Sequence, residues 1–351
     1  VSGKTVDAKL ATSRSLTLES WQLAGIRAYH GLLRHRGLDS AAALAFFGAL
    51  VLVPASLAVV SAFAVFDSKA RASGDILKIV RSFAPASTVA EIRDPLTQLF
   101  TLPNAGYALA LGIVLTVWTL SGYVTAFGRA VNTAYDVQEG RRWIPLRASM
   151  ILVAIVLLIA LAVVVAIVSG TPTVAGAIAK TLGWSPAVAI VWDILKWPVL
   201  AGLAAFVVGV LYFYSPNVHH LRIRWVTWGA LLAIAVWVLA TVGFGIYILN
   251  FSHYNKVYGW LGGAVILLLW LYLSNLVVVF GAEMDAEIVR ARQLEAGIDA
   301  VTEIQLPLRS TRRIQTLDHW AVTDRARSKK LLDRAKARTA RTTRAKASRK
   351  G

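Results

Sequence analysis

The stretch MILVAIVLLIALAVVVAIV, residues 150–168, contains no charged, amide or hydroxyl side chain. A helix of this length rises about 28 Å, which matches the hydrocarbon thickness of a bilayer. A helix in a soluble core keeps a polar face, and this one has none. It therefore reads as a membrane span, and the rest of the chain is judged by the same test. Working outward, six segments qualify: 41–66, 106–131, 147–169, 188–214, 226–250 and 260–282. The expected fold is an all-α integral membrane protein.

Composition agrees. The 351 residues are 57% hydrophobic and only 16% charged, with 12 Trp, whereas soluble domains are about a quarter charged. Mean hydropathy is +0.60. Even so, Lys+Arg 37 against Asp+Glu 19 leaves a net charge of +18. Loop counting resolves the contrast. The amino-terminal segment, the 132–146 and 215–225 loops with their flanks, and the segment after 284 hold 29 of the 37 cations. Basic loops stay on the cytoplasmic side, so both termini are expected there. The first 39 residues contain no continuous apolar core, and the first span is expected to direct insertion.

The expected organisation is a cytoplasmic amphipathic segment at 1–39, a six-span domain at 40–284 and a basic tail at 285–351, disordered beyond 325. In 15–36, Leu18, Trp21, Gly25, Tyr29 and Leu32 recur at helical spacing, as in a helix lying in the inner interface. In 67–105, Val89, Ile92, Leu96 and Leu99 form a second stripe that Pro85 and Pro95 break into short external helices.

The usual enzymatic constellations fail. Cysteine is absent, which excludes a cysteine nucleophile and Cys-held metal. The six His show no metal-ligand spacing. Neither a GxSxG elbow nor a GxxxxGK[ST] phosphate loop occurs. No cofactor is expected, and an enzyme is not.

Polar residues at membrane depth are the better signal, because each is costly there. Asp193 and Lys196 could pair on one helix face, but Trp192 and Trp197 flank them like an interfacial belt, which is the favoured reading. Asn275 reads as a hydrogen-bond partner between helices. Glu283 and Asp285 close the sixth span, with an ion pair to Arg129, Arg141 or Arg142 expected for them. Pro54 should kink the first span. Gly259, Gly262 and Gly263, with Gly243 and Gly245, should let the last two spans approach closely.

The last part of the tail, 325–351, carries Arg325, Arg327, Lys329, Lys330, Arg334, Lys336, Arg338, Arg341, Arg344, Lys346, Arg349 and Lys350 against Asp333 alone. With no aromatic to stack on bases, it is a candidate for adhesion to anionic head groups of the inner leaflet, ranked above contact with nucleic acid.

Several blocks together resemble the YihY/BrkB family of bacterial inner-membrane proteins, formerly labelled ribonuclease BN, and are most similar to its YhjD branch. They are DSAAALAFFGALVLVPA (39–55), FGRAVNTAYDVQEGRRW (127–143), YFYSPN (212–217), YNKVYGWLGGAVILLLWLYLSNLVVVFGAEMDAEI (254–288) and RARQLEAGIDAVTEIQLPLRSTR (290–312). The resemblance implies six spans with both ends cytoplasmic and a role in handling envelope lipids. It marks Asp39, Pro54, Arg129, Asn132, Tyr135, Arg142, Pro216, Tyr254, Asn255, Tyr258, Gly259, Gly262, Gly281 and Glu283 as family positions. The ribonuclease label finds no His and Asp cluster to support it. The expected function is transporter-like handling of a lipid or amphipathic substrate, through the external helices and an inner mouth at Arg129, Arg142 and Glu283. A homo-oligomer is compatible with this. The alternative is a membrane scaffold working through the basic tail.

Overall fold

The computed structural model describes residues 16–66, 105–169, 187–219, 227–250 and 255–348. The expected external helices of 67–105 and the turn joining the last two spans lie outside these residues. Eight helices are present among those described: α1 (Leu18–Arg34), α2 (Gly37–Phe66), α3 (Ala105–Ala134), α4 (Trp143–Ser169), α5 (Ala187–Tyr214), α6 (Trp228–Asn250), α7 (Asn255–Glu295) and α8 (Arg312–Ser348). No strand forms among them beyond an isolated bridge between Val218 and Leu308.

Helices α2 to α7 each contain a stretch long and apolar enough to cross a membrane, so the six expected spans are present. Because they alternate in direction, the starts of α2, α4 and α6 share one end of the bundle with the ends of α3, α5 and α7. Helix α7 is about 61 Å long, more than twice a bilayer's hydrocarbon. Its last turns therefore project into this shared end, and helix α1 lies across them.

The helix ends here follow from local chemistry. Thr17 caps α1, its hydroxyl accepting from Ser20 N at 3.2 Å. Gly297, at φ +69, closes α7, with Ile298 N donating to Gln293 O and Gly297 N to Leu294 O. Those two bonds make a Schellman cap, which needs a left-handed residue at this position.

The core at this end joins Leu44, Val124, Phe127, Val131, Met150, Val153, Leu211, Tyr212, Val279 and Ala282. Phe127 and Tyr212 stack at 5.9 Å, and Asn275 Oδ1 accepts from Tyr123 OH at 2.7 Å, bridging α3 and α7.

Two expectations are corrected. Helices α6 and α7 do approach closely, but where Gly229 meets Gly281: a Cβ on Gly281 would stand 2.6 Å from Ala233 Cβ. Gly243, Gly245 and Gly263 face open space, although Gly262 is buried; the side of Gly259 lies outside the described residues. A Cβ on Gly229 would in turn run into the backbone at Gly281, so among the described residues the close approach falls at this pair. Helix α2 runs through Pro54 as one element. Secondly, the tail is not disordered beyond 325 but helical to Ser348. Residues 312–348 contain neither Gly nor Pro and are rich in Ala, Arg, Lys and Leu, all strong helix formers.

Candidate functional site

Among the described residues, the buried charged side chains gather at the shared end. Along α7, Glu283, Asp285, Glu287 and Arg290 are all buried, Arg290 at 1% exposure. Burying charges costs several kcal/mol each unless they are paired. Their pairing is an alternating chain. Arg27 Nε donates to Glu287 Oε2 at 2.7 Å, and Arg290 Nε lies 3.1 Å from the same oxygen. Arg290 also donates to Ala300 O at 2.8 Å and reaches Asp136 Oδ2 at 3.3 Å. Asp136 Oδ1 then stands 3.4 Å from His35 Nε2, whose Nδ1 is 2.9 Å from Glu283 Oε1.

Helix α1 is clamped antiparallel along α7 by three polar contacts. Glu295 Oε1 accepts from Thr17 N at 2.9 Å, Glu287 takes Arg27, and Glu283 takes His35. Between them Ala24 and Ala28 pack on Met284 and Ile288. Gly31 passes directly over Glu283, where a Cβ would come within 2.6 Å of Oε2. The opposite face of α1 exposes Leu18, Ile26, Tyr29 and Leu33, as suits a helix at an interface with lipid.

A second cluster locks the loops. Asn132 Oδ1 accepts from Asn217 N at 2.7 Å, while its Nδ2 donates to Glu139. Arg141 donates to both carboxylate oxygens of Glu139 at 2.8 Å and to Ser215 O at 2.6 Å. Asn217 Nδ2 and Ser310 Oγ tie the 138–140 turn to residue 310, with Ser310 O tight against Gly140. Deeper, Asp285 accepts from Tyr135 OH at 3.3 Å and from Thr227. Together these groups of contacts make a polar collar at the end of the bundle.

The expected inner mouth does not assemble. Glu283 pairs with His35 and not with Arg129, Arg141 or Arg142, because α1 seals it from the loops. Arg129 and Arg142 are exposed. Asp39 is exposed too, paired only with Arg36. Lys196 stands over the ring of Trp197, 5.8 Å away, where the span of α5 begins; the side chains of Asp193 and Asn255 lie outside the described residues. In α8, Arg325, Arg327, Lys329, Lys330, Arg334, Lys336 and Arg338 are exposed. The side chains of Arg341, Arg344 and Lys346, and all of Arg349 and Lys350, lie outside the described residues. No group of three His, Cys, Asp or Glu suited to a metal occurs among the described residues.

The family description "virulence factor BrkB" matches residues 28–303, from within α1 to the segment after α7. The chain belongs to the virulence factor BrkB family. Curated relatives that match it include a protein of Bacillus subtilis (strain 168) named ribonuclease-like protein YfkH, 28% identical over 74% of this chain and 93% of that protein. A UPF0761 membrane protein of Alkalilimnicola ehrlichii is 29% identical over 75% of this chain, which spans 58% of that longer protein. Another, of Aliivibrio fischeri (strain MJ11), is 27% identical over 76% of this chain and 86% of its own length. No solved structure matches significantly. The BrkB-family match and the six apolar helices make the chain a multi-pass membrane protein. The collar falls almost wholly inside the matched residues, and α8 falls outside them.

The collar makes stability depend on pH. The hydrogen bond to Glu283 raises the pKa of His35 above its ordinary 6.5, outweighing burial, which opposes the charge; Asp136 adds to the rise. A raised folded-state pKa contributes stability that is complete below 6.5 and lost as pH rises through the folded value. The groups facing this imidazole are Glu283 from α7, Asp136 beyond α3 and Arg34 from its own helix. In thermal unfolding of the detergent-purified protein, the midpoint is expected to fall as pH rises above 6.5, and His35→Gln should flatten that fall. Parallel pH profiles for the two proteins would refute the role of this imidazole.

Proposed function

We propose that the chain is a non-enzymatic protein of the bacterial inner membrane, with both termini in the cytoplasm, that moves or handles a lipid or another amphipathic envelope component. The observation that carries this reading is the imidazole–carboxylate pair of His35 and Glu283, buried at the end of the central spanning helix. A charged pair this deeply buried is expensive to keep, and we read it as part of a substrate or proton path. Its cover, α1, presents an apolar face outward, so protonation of the pair and seating of α1 against lipid act on one element. The distribution of cations supports the orientation. With no phosphate-binding loop in the sequence, transport runs down the substrate's own gradient or is coupled to an ion.

Fluorescent-lipid translocation in reconstituted vesicles tests this. Glu283→Gln is expected to slow translocation about tenfold while the protein stays folded, and Arg142→Ala, on the exposed surface, should leave the rate unchanged. Equal rates for wild type and a folded Glu283→Gln protein would remove the pair from the mechanism.

A further inference from the structure

Helix α8 is about 55 Å long, and near its start Arg313 N donates to Gly140 O of the collar at 2.9 Å. From 315 to 338 every side chain except Thr323 is exposed, including the large apolar Leu317, Trp320, Leu331 and Leu332. These are not scattered. At 100° per residue, Ile314, Leu317, Ala321, Leu331, Leu332 and Ala335 fall within about a 100° arc that also holds Ser328 and one carboxylate, Asp324, with Trp320 at its edge and the exposed Val322 outside it. Arg325, Lys329 and Lys336 border one side of the arc, and Arg327, Arg334 and Arg338 the other. The helix holds 12 Lys and Arg against three Asp.

We propose that α8 is a membrane-surface helix: its apolar stripe enters an anionic leaflet and the bordering cations reach the lipid head groups. An apolar stripe bordered by cations is the pattern of an interfacial helix, and each cation near an anionic surface adds to the attraction. A nucleic acid would use the cations but leave the leucines and Trp320 in water, so the lipid surface accounts for both faces. The proposal rests on the cytoplasmic orientation above, because that leaflet is the anionic one.

The natural absence of cysteine allows single spin labels on the full chain at Ala321→Cys, within the stripe, and at Ala326→Cys, on the opposite face. In vesicles containing phosphatidylglycerol, the label at 321 is expected to gain oxygen accessibility several-fold over a water-soluble nickel chelate, while that at 326 stays aqueous. In pure phosphatidylcholine both should stay aqueous. Equally aqueous labels in the anionic vesicles overturn the proposal, as does protection by duplex DNA without protection by vesicles. Anionic lipid in both leaflets meets the helix whichever way the protein inserts. A negative result therefore counts against the docking, and the orientation is tested separately in cells.

Discussion

Replacing Arg290 with alanine is expected to destabilise the bundle by about 3–5 kcal/mol, the usual cost of leaving buried charges without their partner. The side chain is 1% exposed and serves three acceptors at once: Glu287, Asp136 and the carbonyl of Ala300. Its loss leaves Glu287 with Arg27 alone, gives up the link to Asp136, and takes from Ala300 O the Arg290 donor. Thermal unfolding in detergent measures the effect. Arg36→Ala is the comparison, because its pair with Asp39 is solvent-exposed on both sides and such pairs contribute about 0–1 kcal/mol. An Arg290→Ala protein no less stable than Arg36→Ala would mean that the alternating chain of charges does not hold the end of the bundle together.

The spans were plain in the sequence because a run such as 150–168 allows no other packing. The collar was less legible, and particular residues show why. Glu283, Glu287 and Arg290 lie on one face of α7 at intervals of four and three, a local pattern that could have been read as a buried polar stripe. Their partners come from far along the chain: Asp136 is 154 residues from Arg290, and His35 is 248 from Glu283. No local period reports such pairs. His35 seemed to lack a carboxylate neighbour only because neighbours were sought in sequence.

Helix α1 was recognised by its large side chains, Leu18, Trp21, Tyr29 and Leu32. The face that fixes its position is instead the small stripe of Ala24, Ala28 and Gly31, which lets α1 lie close along α7. Trp21 belongs to neither face cleanly, meeting Trp228 edge-on at 5.9 Å. Likewise the glycines near the start of α7 drew attention because they cluster, while the solitary Gly229 and Gly281 make the close contact. Cation counting placed Arg129 and Arg142 at the right end of the bundle, but it carries no information about burial. Exposure separates them from Glu283.

The central claim is that the collar occupies one end of a six-span bundle and that this end faces the cytoplasm. Single cysteines in the otherwise cysteine-free chain test it directly, through reaction with a membrane-impermeant thiol reagent on intact and then permeabilised cells. Arg142→Cys, His219→Cys and Arg312→Cys all lie at the collar end, on the α3–α4 loop, after α5 and at the start of α8. Gly106→Cys lies at the opposite end, where a side chain meets open space. The expected result is all-or-none: the first three react only after permeabilisation, and the fourth reacts in intact cells. If positions 142, 219 and 312 divide between the two sides, or all three react from outside, the bundle and its orientation are wrong as described.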